Sequence, residues 1–193
     1  KAKAFVDKAA LDKLIAQEER IKKEKSNTSS QSSSSHTASA NKVEVGKTYT
    51  VAGSTYLVTK LASANAKGSV TLTGAKNKAS FNGPETVKLA DGYAYTLTAV
   101  KAKAFTGSKI KKVTLSSGVN KIYAKAFSGS KVKKLILKTK KLKKKNVKNS
   151  LKGSKITTVI VKVGNKKANK TYVKKYKKIF TKKNTGKKVI VTT

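Results

Sequence analysis

A segment of twelve residues recurs three times along the chain and aligns without gaps. It runs from Ala104 to Leu115, from Ala126 to Leu137, and from Ser150 to Val161, with starts 22 and 24 residues apart. A fixed period of this length marks a stack of short units. None can bury its own apolar face, so neighbours must pack on one another to fold. Within each unit the roles follow from residue type. Phe105, Phe127 and Leu151 are large apolar plugs, and the Gly-Ser-Lys run after each supplies a tight turn. Ile110, Val113 and Leu115, with their counterparts, point into the stack. Val119, Ile122, Leu142 and Val147 line the return legs.

The flanking segments have different periods. Residues 1–25 are rich in Ala, Lys, Glu and Leu without Gly or Pro and read as a helix. Its stripe of Leu11, Leu14, Ile15 and Ile21 is short and broken by Glu18, which favours a helix packed on a neighbour over a coiled coil. Residues 26–41 form a Ser-rich flexible linker that carries His36. From Lys42 the period becomes two: Tyr49 and Val51, Tyr56 and Val58, Val70 and Leu72, Val87 and Leu89, then Tyr93, Tyr95 and Leu97. With Asp91-Gly92 as a hairpin signal, residues 42–100 read as a small antiparallel β cap. At the other end Tyr172, Val173, Tyr176, Ile179 and Phe180 fall on one helical face with Lys174, Lys175, Lys177 and Lys178 outside it. Val189 and Val191 supply a last strand. The predicted fold is therefore mainly β with short helical elements. A β cap (42–100) leads into a short repeat solenoid closed by a helix-strand cap (101–193), and a separate helix precedes them.

The repeat, with its Ala-Lys-Ala-Phe lead-in and its Ala-Phe-x-Gly-Ser-Lys-Ile-Lys-Lys-Val-Thr-Leu pattern, resembles the BspA-like (Treponema-type) leucine-rich repeats. The segments Val45–Val51 and Tyr93–Phe105 resemble the β region that opens such arrays. The run Tyr172–Phe180 is similar to C-termini of such proteins from Gram-positive gut anaerobes. The resemblance covers about residues 44–193 and departs from the pattern at Ser150-Leu151. It implies a leucine-rich-repeat solenoid on a secreted or surface-attached protein, with adhesion or binding as its role. It prescribes no catalytic residues.

Charge is the second constraint. The formal net charge is +38, and residues 101–193 hold 31 lysines and no acid. Such a region repels itself, so its fold must come from apolar patterning, and it attracts polyanions with a strength that falls as salt rises. The only arginine is Arg20, outside the repeats, so the bidentate fork that reads base edges is missing from them. Nonspecific nucleic-acid binding is expected, sequence-specific readout is not. The chain has no Cys and one His, which excludes a disulfide framework, a thiol nucleophile and a multi-histidine metal site. No run of about 18 apolar residues is present to span a membrane. The chain opens on Lys1 without a signal-peptide pattern, which predicts a processed product or a piece of a longer protein.

No constellation for catalysis stands out, and no enzyme activity, metal or cofactor is predicted. His36 lies in the Ser run, Asp91 precedes a turn glycine, and Glu44 and Glu85 lack a paired carboxylate. Gly46-Lys47-Thr48 ends like a phosphate loop, but Asn41 stands where that loop needs glycine. A lysine nucleophile would need a base that the sequence does not offer. The candidate site is instead the outward face of the repeat strands. It comprises Lys112, Thr114 and Ser116; Lys134, Ile136 and Lys138; and Thr158, Ile160 and Lys162. Stacking would set Thr114, Ile136 and Ile160 in one row flanked by lysines. The expectation is a noncatalytic cell-surface or wall-associated module that binds a polyanion. Cell-wall teichoic acid is the nearest candidate, and a host acidic glycan or matrix protein follows. The alternatives are nonspecific nucleic-acid binding and a domain appended to a larger secreted enzyme.

Overall fold

The repeat period becomes a parallel sheet with one short strand per unit. The computed structural model describes residues 42–75 and 79–193. The helix expected at 1–25 and the linker at 26–41, with His36, lie outside the described residues. In chain order the elements are β1 (Thr48–Val51), β2 (Ser54–Lys60), β3 (Gly68–Gly74), β4 (Ser80–Asn82), β5 (Thr86–Lys88), β6 (Ala94–Val100), β7 (Lys112–Leu115), β8 (Lys121–Ile122), β9 (Lys134–Leu137), β10 (Thr158–Val161), α1 (Lys166–Ile179), α2 (Lys182–Thr185) and β11 (Ile190–Thr192). A short 3-10 turn, Lys144–Val147, lies between β9 and β10.

The repeat sheet has the order β11-β10-β9-β7-β4, and every neighbour runs parallel. Its register follows the sequence offsets of 22 and 24: Val113 pairs with Leu135 and Leu135 with Val159. The inward row is completed by Phe81 at one end and Val191 at the other. All five side chains are buried. Beneath the strands the plugs form a second column. The rings of Phe105 and Phe127 stack with centroids 5.1 Å apart and planes 6° from parallel, and Phe81 meets Phe105 edge-on at 5.4 Å. Leu151 occupies the same place one coil further on. Burying a side chain of this size contributes about 1.5–3 kcal/mol, which is how the stack folds against its own charge.

The turn after each plug is built by glycine and serine together. Gly129 and Gly153 adopt φ of +70° and +75°, and a Cβ on Gly153 would come within 2.8 Å of Ser128 Oγ. Only glycine takes this conformation without strain in a column this tight. The Oγ of Ser108 and that of Ser130 donate to the carbonyls of Phe105 and Phe127, at 2.9 and 2.7 Å. On the far side of each plug, Lys103, Lys125 and Asn149 are also left-handed, with φ of 58°, 57° and 54°. They form a backbone ladder in which Lys103 N–H donates to the Lys125 carbonyl and Lys125 N–H to the Asn149 carbonyl.

The last return leg is longer than the others and is helical. Asn165 caps α1 by accepting from the Ala168 N–H. Tyr176 and Ile179, with Phe180 after them, are buried against the coils, and the hydroxyl of Tyr176 donates to the Thr139 carbonyl. Burial pushes the Tyr176 phenol well above its ordinary range. From α2, the carbonyls of Asn184 and Thr185 accept from Asn149 N–H and Leu151 N–H, which continues the ladder of the earlier coils.

Residues 42–100 depart from the expected antiparallel cap. The β1–β2, β2–β3 and β5–β6 pairs are antiparallel, but β3–β6 and β6–β8 are parallel. The cause is the path of the chain after β3. It leaves for the repeat sheet, contributes β4 there as the partner of β7, bends at Gly83-Pro84, and returns as β5. β6 then lands beside β3 in the same direction. The hairpin signal at Asp91 holds: its carboxylate accepts from Tyr93 N–H at 3.1 Å and from the Tyr95 hydroxyl. Burial and the Asp91 bond push the Tyr95 phenol up to about 12. The chain from Val43 to Thr193 forms one unit, with its apolar residues in a single cluster.

Candidate functional site

Side chains alternate across a strand, so the residues between the inward rows form rows of their own on the outer face. One row is Ser80, Lys112, Lys134, Thr158 and Ile190, and the next is Asn82, Thr114, Ile136, Ile160 and Thr192. Adjacent parallel strands are about 4.8 Å apart, so Lys112 and Lys134 are one strand spacing from each other along the sheet. Beyond the strand ends the ladder continues: Lys138 N–H donates to the Leu115 carbonyl and Lys162 N–H to the Leu137 carbonyl. That places Lys138 beside Lys162. On the turn side, Lys133 N–H donates to the Lys111 carbonyl and Thr157 N–H to the Lys133 carbonyl. The same offsets carry Lys131 and Lys155 along that edge.

Of the nine residues expected on this face, Lys112, Lys134, Lys138 and Lys162 are exposed, and Ile136, Thr158 and Ile160 are half-buried. Thr114 and Ser116 are corrections. Thr114 is 8 % exposed and Ser116 only 1 %. At the end of β7 the chain turns at once, with Val119 N–H donating to the Ser116 carbonyl at 3.2 Å, and this draws Ser116 under the surface. Beside it the chain after β4 stays paired to the chain after β7. Gly83 N–H donates to the Thr114 carbonyl at 2.8 Å, and the Glu85 carboxylate accepts from Ser117 N–H and its hydroxyl at 3.0 and 2.6 Å. Neither Thr114 nor Ser116 is available to a ligand, so β7 contributes only Lys112 to the accessible face.

The structure also adds residues that the sequence reading passed over. Ile190 is 68 % exposed and lies beside Thr158, diagonal to Ile160. Strand alternation between inward Val189 and Val191 already marked it as outward. The result is an apolar line of Ile136, Ile160 and Ile190 flanked by lysines. The turn-edge lysines Lys111, Lys131, Lys133 and Lys155 were likewise legible from the repeat offsets, since they are exposed at matching positions of successive coils.

The electrostatics are one-sided. The described carboxylates are Glu44, Glu85 and Asp91, all outside residues 101–193. Burial raises the Glu85 pKa, but the Ser117 hydroxyl and N–H, the Gly118 N–H and the charge of Lys138 outweigh it and hold the carboxyl below its ordinary value. Glu85 therefore serves as a structural clasp between the two sheets. Among the described residues no group of three His, Asp or Glu side chains could hold a metal ion, and no helix is long and apolar enough to cross a membrane. What this face can do chemically is attract anionic groups and offer isoleucine contacts between them.

No protein-family model matches the chain, and no curated protein sequence does. Among solved structures it is similar to a leucine-rich repeat protein from Bacteroides capillosus, with 19 % identity and a TM-score of 0.38 over 59 % of this chain and 71 % of that one. It is also similar to the pneumococcal vaccine antigen PcpA, with 17 % identity and a TM-score of 0.40 over 61 % of this chain and 33 % of the other. A leucine rich cell surface protein from Faecalibacterium prausnitzii matches with 16 % identity and a TM-score of 0.37, over 60 % of this chain and 27 % of that one. The chain thus spans a third or less of the length of the last two. The parallel arrangement of one strand per repeat rests on the chain's own strand register.

Proposed function

We propose that this chain is a noncatalytic binding module of the bacterial cell surface that engages a polyanion through its lysine-rich repeat face. The observation that carries the reading is the register. It sets Lys112 beside Lys134 and Lys138 beside Lys162, with no carboxylate anywhere in residues 101–193. Like charges held side by side on a sheet destabilise it, each pair by a few tenths of a kcal/mol up to about 1. A polymer with a negative charge on every monomer removes that cost on binding. Lysine suits such a ligand because it attracts as a point charge without demanding a fixed geometry. Teichoic acid of a Gram-positive wall is the first candidate. Host acidic glycans and acidic matrix proteins are the next, and the isoleucine line would contact the latter.

The test is co-sedimentation of the chain with Gram-positive cell walls, intact or stripped of teichoic acid, across a salt series. Binding that persists at about 0.15 M salt and vanishes on stripping supports the reading. Lys134→Thr with Lys138→Thr should weaken it while far-UV circular dichroism stays unchanged. Binding indifferent to stripping would refute teichoic acid as the ligand. Duplex DNA that binds the chain equally well at that salt would refute the choice of polymer, because nonspecific DNA affinity falls steeply there.

A further inference from the structure

A cleft of about 490 Å³ lies away from the lysine rows, between the β1–β2 hairpin and the bent segment that carries β4 and β5. Val51, Ser54 and Tyr56 form one wall, and residues 80–82, Pro84 and 86–88 form the other. Tyr56, hydrogen-bonded to Ser54, Phe81 and Val87 are buried and supply an apolar floor. β4 is an edge strand of the repeat sheet and β5 an edge strand of the other.

Ladder geometry fixes which backbone groups face the cleft. Glu85 and Leu97 are bonded across β5–β6, as are Leu89 and Tyr93, so residues 85, 87 and 89 spend their backbone groups on β6. The N–H and C=O of Thr86 and Lys88 therefore point the other way. Gly83 N–H bonds toward β7 in the same manner, which turns the backbone groups of Ser80 and Asn82 outward as well. None of these four residues has a second strand beside it among the described residues. The side chains of Asn82, Thr86 and Lys88 are exposed.

The geometry points to a peptide-binding groove at this cleft, in which an extended segment carrying carboxylates adds as a strand to the β5 edge at Thr86 and Lys88. Main-chain bonds to a free edge give such pairing its affinity, and side-chain pockets give it selectivity. The apolar floor of Phe81 and Val87 takes alternate side chains. The choice of an acidic occupant rests on charge: among the described residues Lys88 is the one ionised side chain lining the cleft and no acid lines it, and the chain as a whole is strongly positive. Pro84 and Lys88 also discourage pairing with an unselected strand, which is how open edges avoid aggregation. This inference does not rest on the polyanion reading.

The experiment uses the full chain, labelled with nitrogen-15, and a capped peptide alternating valine and glutamate as probe. Amide shifts are followed at 0.15 M salt. The expected result is saturable movement of the Thr86 and Lys88 amides and their neighbours. Methylating every second peptide nitrogen, in the register that faces β5, should weaken binding at least about tenfold, because the strand-to-strand bonds are lost. Replacing glutamate by glutamine in the probe, or Lys88 by Ala in the chain, should weaken it less. Three results would overturn the inference: unmoved amides across 80–88, equal binding by the peptides methylated in either register, or movement confined to the lysine-rich coils. The methylated probes leave the protein intact, so a folding defect in a variant cannot mimic either outcome.

Discussion

Phe127 sits in the middle of the plug column, fully buried, with Phe105 stacked on one side and Leu151 following on the other. Truncating it to alanine removes a buried ring and leaves a void that flanking coils cannot fill without moving the strands. Phe→Ala changes of this kind cost about 3–5 kcal/mol, which includes the ring-on-ring contact worth about 0.5–1.5. A domain of this size has about 5–15 kcal/mol in all, so Phe127→Ala should sit near the edge of folding. Phe127→Leu is the informative partner, because the third coil already uses Leu151 at this place. Leucine keeps most of the buried surface and loses the stack, for an expected cost of about 1–1.5 kcal/mol. Urea unfolding followed by far-UV circular dichroism measures both. The alanine variant should also unfold over a broader range, since coils coupled only through their neighbours separate when a middle contact fails. An alanine cost below about 1 kcal/mol, or equal costs for leucine and alanine, would refute the account of the column as the source of stability.

Lys125→Asn should stabilise the chain by about 0.5 kcal/mol, because a left-handed conformation strains most side chains by about 1–2 kcal/mol and asparagine tolerates it best after glycine; Asn149 already fills this ladder position one coil on. Thermal unfolding checks it, and a lower midpoint would be the contrary result. Ser116→Ala should leave stability unchanged or raise it by up to about 1 kcal/mol, since the buried Oγ has no partner among the described residues. It should leave wall binding untouched, because Ser116 lies beneath the surface. Glu85→Gln tests the clasp through pH. The folded carboxyl is held below its unfolded value, so its contribution is complete above the unfolded pKa and is lost as pH falls through the folded one. The native chain should lose stability across that acidic window relative to the variant, and parallel curves of stability against pH would sink the assignment.

The coils were legible because their signal is redundant. The same residue types return at fixed offsets, and each offset becomes one strand pairing: Val113 to Leu135 to Val159. The terminal helix was legible for the same kind of reason, an apolar stripe of one period. What the sequence concealed was β4. Ser80-Phe81-Asn82 is too short to show alternation, and only its pairing with β7 makes it a strand. Without it, residues 42–100 read as a plain antiparallel unit, and the parallel β3–β6 pair could not be foreseen. Thr114 and Ser116 were misplaced for a related reason. Alternation gives the side of the sheet, but it does not show that the chain beside β7 continues alongside to Glu85 or that β7 ends in a turn at Ser116.

The rows themselves separate what the fold needs from what it merely permits. Along one outer row the successive strands carry Ser80, Lys112, Lys134, Thr158 and Ile190, and along the next Asn82, Thr114, Ile136, Ile160 and Thr192. The inward rows show no such latitude: Phe81, Val113, Leu135, Val159 and Val191 are all apolar and all buried. A position that accepts serine, lysine, threonine and isoleucine within one molecule is not held to lysine by packing. Lysine there costs folding free energy through its like-charged neighbour, and the sheet would be more stable with threonine in its place. The fold therefore gives no reason for the charge, and exchanging row lysines for threonine separates binding from folding.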